Sequence, residues 1–252
     1  MNSIYQNELK YCMICGTRII PGAKFCSNCG QKFDFMDMNE SIVSNKKYAN
    51  LQIGDFTTFG TYTLNYNPEP IEWQVLDIRE KKALLISKFG IDAKPYNSSE
   101  SDITWEYCSL RGWLNGEFYN NSFNNFEKDI IIKTENNNFS RGIFGSMKEI
   151  SPTEDYVFIL SPDEASYYFK NNNSKIFEHG YCVATPWATN HGARVYKVPL
   201  FHEYYSVWWL RSPGEYGNNF AAIFDVNRIE RKGRMVNIQY YTVRPTIWIS
   251  CE

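Results

Sequence analysis

The sequence predicts an α+β fold, in which hairpins and helices occupy separate stretches of one large domain. IEWQVLDI alternates apolar and polar residues and is followed by the polar turn REKK and the run ALLISK, so residues 71–88 are expected to form a β-hairpin. SLRGWLNGEFYNNSF has apolar residues at helical spacing and predicts an amphipathic helix. The chain ends in further strand-like runs: FAAIFDV, RMVNIQ and TVRPTIWIS. Elements segregated in this way are typical of α+β domains.

The stretch between the hairpin and these last strands predicts one more helix, one strand and two loops. SPDEASYYF offers Ser161 as N-cap, Pro162 at the first helical position and Glu164 for a capping box, so a helix is expected to begin there. DYVFIL, just before it, is expected to be a buried strand. ENNNFSRGIFGS and KNNNS are expected to be long polar loops.

Composition favours a folded protein with an aromatic core, an aromatic recognition surface, or both. Hydrophobic residues make up 43% of the 252 residues, and aromatic residues make up 17%. The formal net charge of -2 gives no overall attraction to nucleic acid or to an anionic membrane. The first residues lack a basic stretch followed by an apolar one, and no apolar run is long enough to span a bilayer. We therefore expect a cytoplasmic protein with reduced thiols.

Two CxxC pairs near the N-terminus predict a metal site. Cys12 and Cys15 form one pair, and Cys26 and Cys29 form the other. Two such turns that face each other make a tetrahedral site with four thiolates, which suits one structural zinc ion. A glycine follows the second cysteine of each pair, where a positive φ lets the backbone fold back over the sulfurs. A redox role would need one CxxC at the start of a helix after a buried strand, and a disulfide role would need an exported protein.

Residues 11–33 resemble the short zinc-ribbon module found at the N-terminus of many bacterial proteins. Such ribbons bind nucleic acid, bind protein or only staple a terminus, so the resemblance implies a metal but no particular partner. Lys10, Arg18, Lys24 and Lys32 give a mild positive bias without the interleaved aromatics of a nucleic-acid surface. Residues 34–50 are mostly polar and are expected to be a linker, and residues 51–252 form the large domain.

The large domain carries a second resemblance, spread over about residues 51–250. FGTY, IEWQVLDI, ALLISK, TWEYCSLRGWLN, DYVFILS, WWLRSPG and VRPTIWI occur in that order. Together they are similar to an uncharacterised bacterial domain family, DUF6273-like, with WWLRSPG and VRPA signatures. That family resembles the C-type-lectin-like fold of formylglycine-generating enzymes and of the variable proteins of diversity-generating retroelements. Thr246 stands where alanine is commoner in the last motif. The resemblance implies a C-type-lectin-like domain at residues 51–252.

Catalytic residues are not predicted. Arg211 in WWLRSPG and Arg244 in VRPT are expected to stack on aromatic rings and to bond loop carbonyls. The histidines match no compact metal motif, and neither the iron signature nor the C-terminal cysteine pair of related enzymes is present: His179, His191, His202. The cysteines outside the two pairs are expected to be buried and inert: Cys108, Cys182, Cys251. No triplet that would bind calcium and a sugar in lectins of this fold is present.

A recognition face is expected between WWLRSPG and VRPT. This stretch is rich in tyrosine, asparagine and arginine, the mixture that recognition loops favour. The resemblance to retroelement variable proteins implies that these ligand-binding residues lie there: Trp208, Tyr216, Asn218, Asn219, Phe220, Asn227, Asn237, Tyr240, Tyr241. The alternative is that the asparagines and tyrosines reflect an AT-rich genome and ordinary turns.

Three functions remain open from the sequence. The first is a non-enzymatic binding protein, in which a structural zinc ribbon accompanies a domain that recognises a protein or a small ligand. The second is an oxidase like the formylglycine-generating enzymes, with a redox metal at Cys251 and another thiol. The third is a regulator that binds nucleic acid through the ribbon, with weak support from its charges.

Overall fold

The computed structural model describes residues 15–18, 23, 25–31, 48–64, 67–142, 146–171, 180–197, 204–225 and 228–252. The predicted linker at residues 34–50 therefore lies outside the described residues, apart from a helical turn at Tyr48. The described residues form these strands: β1 Phe56–Thr63, β2 Pro68–Arg79, β3 Lys82–Ser87, β4 Asp92–Ala93, β5 Ile131–Ile132, β6 Thr134–Arg141, β7 Met147–Asp155, β8 Val195–Lys197, β9 Tyr204–Ser206, β10 Trp208–Gly214, β11 Gly217–Asp225, β12 Arg228–Met235, β13 Thr242–Val243, β14 Thr246–Ser250.

The first five-stranded sheet has the order β1-β2-β3-β14-β5 and is antiparallel throughout. It contains the predicted hairpin, because β2 pairs with β3 and Arg79 lies opposite Lys82. Glu80 and Lys81 connect them with φ values of 47° and 62°, as a two-residue turn with two left-handed positions requires. The last strand, β14, lies between β3 and β5 and therefore pairs with two strands that come much earlier in the chain.

The second five-stranded sheet has the order β12-β11-β10-β13-β4. The motif WWLRSPG is β10, every residue of which is buried. Two glycines let β10, β11 and β12 approach closely. Gly233 has a φ of +78°, and a Cβ there would lie 2.5 Å from the carbonyl oxygen of Ala221. A Cβ on Gly214 would overlap the carbonyl oxygen of Lys232. Both positions therefore require glycine.

The predicted amphipathic helix is present, with one irregularity. α1 Ser109–Trp113 continues through a π-helical turn, Leu114–Phe118, into α2 Tyr119–Ser122. Leu110, Leu114 and Phe118 are buried along one face, as the spacing predicts. The short α3 follows at Asn125–Ile130. The 3₁₀ turn Trp105–Tyr107 precedes α1.

The capping box predicted at Ser161 is confirmed. The side chain of Ser161 accepts a hydrogen bond from the backbone N–H of Glu164, and the Glu164 carboxylate accepts one from the N–H of Ser161. α4 begins at Pro162 (Pro162–Ser166) and runs into a π-helical turn, Tyr167–Asn171. The last helix is α5 Pro186–Asn190. None of the helices in these described ranges is long and apolar enough to cross a bilayer.

Two expectations about the middle of the chain are corrected. ENNNFSRGIFGS, expected to be a loop, supplies most of β6, which pairs with β7 as a separate hairpin. Its strand character is hidden in the sequence because the inward residues, Asn136 and Asn138, are polar. Their amide nitrogens donate to Asp155 and Thr153 of β7, whereas the Oδ1 of Asn138 has no hydrogen-bond partner among the described residues. DYVFIL, expected to be a strand, makes one isolated bridge, between Phe158 and Thr246. The other loop expected to be polar, KNNNS, begins within the π-helical turn that ends at Asn171, and its last three residues lie outside the described residues.

One continuous core joins both five-stranded sheets and the helices. It is strongly aromatic, as the composition predicts, and four tryptophans in it are at most 1% exposed: Trp73, Trp105, Trp208, Trp209. The predicted α+β class is confirmed in this mixed, strand-rich architecture.

Candidate functional site

Three of the four predicted metal ligands lie together. The Sγ atoms of Cys15, Cys26 and Cys29 all lie within 4.8 Å of one another, and Cys15 and Cys26 are separated by 3.4 Å. The fourth predicted ligand, Cys12, lies outside the described residues. Three thiols at this spacing can bind one metal ion.

The backbone around these cysteines folds as a metal knuckle requires. Gly16 and Gly30 follow Cys15 and Cys29 with φ values of 67° and 72°, the left-handed conformation that the sequence predicts there. The N–H of Gly30 donates to the carbonyl of Cys26 at 3.0 Å, which closes the second turn. The conformation of these two turns therefore brings the three thiols close together.

Hydrogen bonds favour the thiolate form that binds metals. Those from Thr17 lower the pKa of the Cys15 thiol to about 6. The backbone N–H groups of Cys29 and Asn28 lower the pKa of Cys26. A thiolate is the ligand form of cysteine, so the donor set fits a soft divalent cation such as zinc.

The described residues around these cysteines contact α3. The side-chain amide of Asn125 donates to the carbonyl oxygen of Gly16. A Cβ at Gly16 would lie 2.6 Å from the Asn125 amide nitrogen, so a larger residue there would require the Asn125 side chain to move.

The nine residues predicted for the recognition face fall into four groups. Tyr216 is exposed, with 68% of its surface accessible. Trp208 and Tyr241 are buried, and Asn227 lies outside the described residues. The remaining five are partly buried: Asn218, Asn219, Phe220, Asn237, Tyr240.

The accessible members of the face lie on the β10–β11 turn and on the loop after β12. The ring of Tyr216 packs edge-on against Phe220 at 5.6 Å. The carbonyl of Asn219 accepts a hydrogen bond from Val236, which joins the turn to the loop that carries Asn237. Tyr240 lies farther along the same loop. The guanidinium of Arg194, just before β8, lies 4.0 Å from the centre of its ring.

Three other members of the face have structural contacts. Asn218 accepts from the backbone N–H of Arg141 at 2.7 Å and donates to its carbonyl, so its amide is used to tie β11 to β6. Trp208 stacks on Phe224 with ring centres 4.9 Å apart. Tyr241 packs edge-on against Trp209. Trp208 and Tyr241 therefore belong to the core and are not accessible to a ligand.

The two motif arginines behave as predicted. Arg244 is 1% exposed, lies 5.3 Å from the Trp208 ring, and donates from Nε to the carbonyl of Ser87. Arg211 is 4% exposed and donates to the carbonyl of Ile159 at 2.9 Å. Burial lowers the pKa of Arg244. Both guanidinium groups join loops to the core.

The scattered thiols are protonated at neutral pH. Burial raises the pKa of Cys108 to about 12 and also raises the pKa of Cys182 and of the half-buried Cys251. His191 is exposed on one side, and its Nδ1 lies 2.9 Å from the carbonyl oxygen of Trp187. The other histidines, at positions 179 and 202, lie outside the described residues.

Sequence reasoning missed a polar cluster around Asp155. This carboxylate is fully buried and accepts hydrogen bonds from Trp105, Arg111, Asn136 and Thr153 at 2.6–3.0 Å. Its partners come from three parts of the chain, up to 50 residues away, so no local pattern marks them.

Neither the curated proteins nor the solved structures gave a match to this chain. A family model described as "Domain of unknown function (DUF6273)" matches residues 80–251. The match begins in the turn between β2 and β3, later than the expected residue 51, and includes WWLRSPG and VRPT. It covers more than half of the 252 residues. The chain therefore belongs to the DUF6273 family.

Proposed function

We propose that this protein is a non-enzymatic binding protein, in which a structural zinc ribbon accompanies a domain with a C-terminal recognition face. The observation that carries the proposal is the exposed Tyr216 ring, which packs edge-on against Phe220 at the turn between β10 and β11. A tyrosine held in this way offers a large amphipathic contact area at low cost in conformational entropy.

The face extends from this turn to the next loop. Tyr240 adds a second tyrosine ring beside a guanidinium, and Asn219 and Asn237 add amide groups. An aromatic centre with adaptable polar neighbours is the composition of protein and ligand recognition surfaces. A partner protein or a small ligand therefore fits this face better than a polyanion does.

The ribbon has a structural role in this proposal. Cys12, Cys15, Cys26 and Cys29 would hold one zinc ion, which folds the module at residues 11–33 and takes no part in chemistry. Contact of Gly16 with Asn125 in α3 supports a ribbon that rests on the large domain at residues 51–252.

The thiol chemistry supports binding over the oxidase alternative. Among the described residues, Cys251 belongs to no group of three or more metal-ligating side chains, and burial raises the pKa of Cys108, Cys182 and Cys251 in the protein without metal. Resemblance to formylglycine-generating enzymes is then one of fold alone. We place the large domain in the C-type-lectin-like group on the order of its motifs, with support from its mixed α+β architecture, and we place the protein in the cytoplasm.

The experiment is a screen of peptide and glycan arrays with the labelled full-length protein, followed by titration of each hit with variants. Tyr216→Ala and Tyr240→Ala are expected to weaken binding about tenfold or more, the effect of removing an aromatic anchor. Tyr204→Ala removes an exposed tyrosine on β9 and serves as the control. A hit that the Tyr216→Ala, Tyr240→Ala double variant binds with unchanged affinity would contradict the proposal.

A further inference from the structure

A cleft of about 400 Å³ opens between the first sheet and α4. One wall is the sheet, represented by Leu84 and Trp248. The opposite wall is α4 with its π-helical turn, and the start of β6 closes one end. Its volume lies in the range of sites that bind small molecules.

The interior of the cleft is aromatic. Trp248, Phe158, Tyr167 and Tyr168 all line it. The Tyr167 ring is half exposed and packs edge-on against Tyr168 at 5.1 Å. Tyr168 is fixed in turn by a hydrogen bond from its hydroxyl to Asp77 at 3.1 Å. The cleft therefore presents one fixed tyrosine ring, Tyr168, and one accessible ring, Tyr167, to a ligand.

The charges around the cleft leave a negative surplus. Three carboxylates and one guanidinium line it: Glu135, Asp163, Glu164, Arg79. Glu164 is paired with Arg211 at 3.1 Å, and Asp163 is paired with Arg231 at 2.6 Å. Arg79 is itself neutralised by Asp77 at 2.6 Å.

Glu135 is the carboxylate left over. It makes no ion pair among the residues that the structure describes, and it lies exposed on β6 at the edge of the cleft. Its neighbour across the hairpin is Glu154, whose own partner is Lys133. A positively charged ligand at this edge of the cleft could therefore pair with the Glu135 carboxylate.

The side chain of Arg79 shows how a cation can be bound in the cleft. The guanidinium of Arg79 lies 5.9 Å from the centre of the Trp248 ring while it pairs with Asp77. A planar cation is thus accommodated between an aromatic face and a carboxylate. Tyr167 and Glu135 offer the same two kinds of group to a second cation.

We propose that this cleft binds a small organic cation with a guanidinium or primary ammonium group. The aromatic lining receives the apolar stem and the face of the cation, and Glu135 supplies the countercharge. An anionic ligand is disfavoured, because the cleft has a single guanidinium and that group is paired. None of the residues that line this cleft belongs to the recognition face, so the two proposals can be tested independently.

The test titrates the full-length protein with n-butylguanidinium by calorimetry, with n-butylurea as the neutral molecule of the same shape. We expect saturable binding of the cation with a Kd of about 0.1–1 mM, the range for a ligand of this size, and no saturable binding of the urea. N-acetyl-arginine amide in a parallel titration separates the two sources of the group: tighter binding than butylguanidinium indicates a peptide side chain, and weaker binding indicates a free metabolite.

Variants locate the site. Glu135→Gln is expected to weaken the cation about three- to tenfold, and Tyr167→Leu by a similar factor. Glu149→Gln changes an exposed carboxylate of the same hairpin outside the cleft, and Tyr216→Ala changes the recognition face, so both are expected to bind like the wild type. Absence of saturable binding, equal binding of the urea, or equal affinity in Glu135→Gln and Tyr167→Leu would overturn the proposal.

Discussion

The Nε atom of Arg111 lies 2.6 Å from a carboxylate oxygen of Asp155, and the Asp155 side chain is completely buried. Arg111 belongs to α1 and Asp155 ends β7, so this pair joins the helical region to the β6–β7 hairpin. The Trp105 indole and the Asn136 amide donate to the second oxygen at 2.9 and 3.0 Å. A buried carboxylate with this many donors organises the elements around it.

Replacement of this carboxylate is expected to be costly. Asp155→Asn keeps the shape but presents an amide nitrogen to groups that are themselves donors, and leaves Arg111 without its counterion. We expect the free energy of unfolding to fall by about 3 kcal/mol, as when one member of a buried pair is removed. Denaturant unfolding measures this loss. Asp129→Asn, at an exposed aspartate in α3, is the control, and an equally small effect in both variants would contradict the account.

Two glycines are expected to respond to alanine with opposite signs. Gly233→Ala places a Cβ against the carbonyl of Ala221 at a φ of +78° and should destabilise the second sheet by about 2 kcal/mol or more. Gly112→Ala lies in α1 with nothing within 4 Å of the new Cβ, and should stabilise the protein by about 0.5–1 kcal/mol. Thermal unfolding of the two variants beside the wild type checks both signs. A stabilised Gly233→Ala would refute the close approach of β11 and β12.

The buried thiol of Cys108 predicts a loss of stability in alkali. Burial raises its pKa to about 12 in the folded protein, whereas the unfolded thiol titrates near about 8.5. The folded state therefore binds the thiol proton more tightly than the unfolded state does. The resulting contribution of Cys108 to the free energy of unfolding is fully present below about pH 8.5. It declines by about 1.4 kcal/mol per pH unit as the pH rises towards 12. Other groups titrate in the same range, and comparison with Cys108→Ala isolates the thiol.

The measurement is the free energy of unfolding of both proteins at several pH values between about 8 and 11. Cys108→Ala is expected to start lower, because a buried side chain is truncated, and to lose less stability as the pH rises. Parallel curves for the two proteins would show that the thiol does not titrate on unfolding.

Local patterns predicted the parts of the fold that depend on neighbouring residues. The β2–β3 hairpin follows from alternation and a polar turn, and the start of α4 follows from the Ser161 capping box. The contacts of Arg211 and Arg244 follow from how arginine behaves among aromatic rings. The hairpin and the helix start depend on residues that lie close together in the sequence. The arginine contacts depend on the general preference of a guanidinium group for aromatic rings and carbonyl oxygens.

The parts that were not predicted depend on partners far along the chain. β6 has asparagines facing inward, which is unfavourable in a strand unless β7 and Asp155 satisfy them. Trp208 was expected beside the recognition face, and its burial depends on Phe224 in β11 and on Arg244 between β13 and β14. The carboxylates of the cleft come from β6 and α4, and nothing in either segment alone indicates that they meet.

The central claim, a structural zinc ribbon on a domain that binds without redox chemistry, is tested most directly by metal analysis. Elemental analysis of the full-length protein is compared with that of Cys26→Ser, which removes one of the three described ligands. We expect one zinc ion per chain in the wild type and none in the variant, with the tryptophan fluorescence of the large domain unchanged. Copper or iron retained by Cys26→Ser would contradict the claim, because the metal would then lie in the large domain.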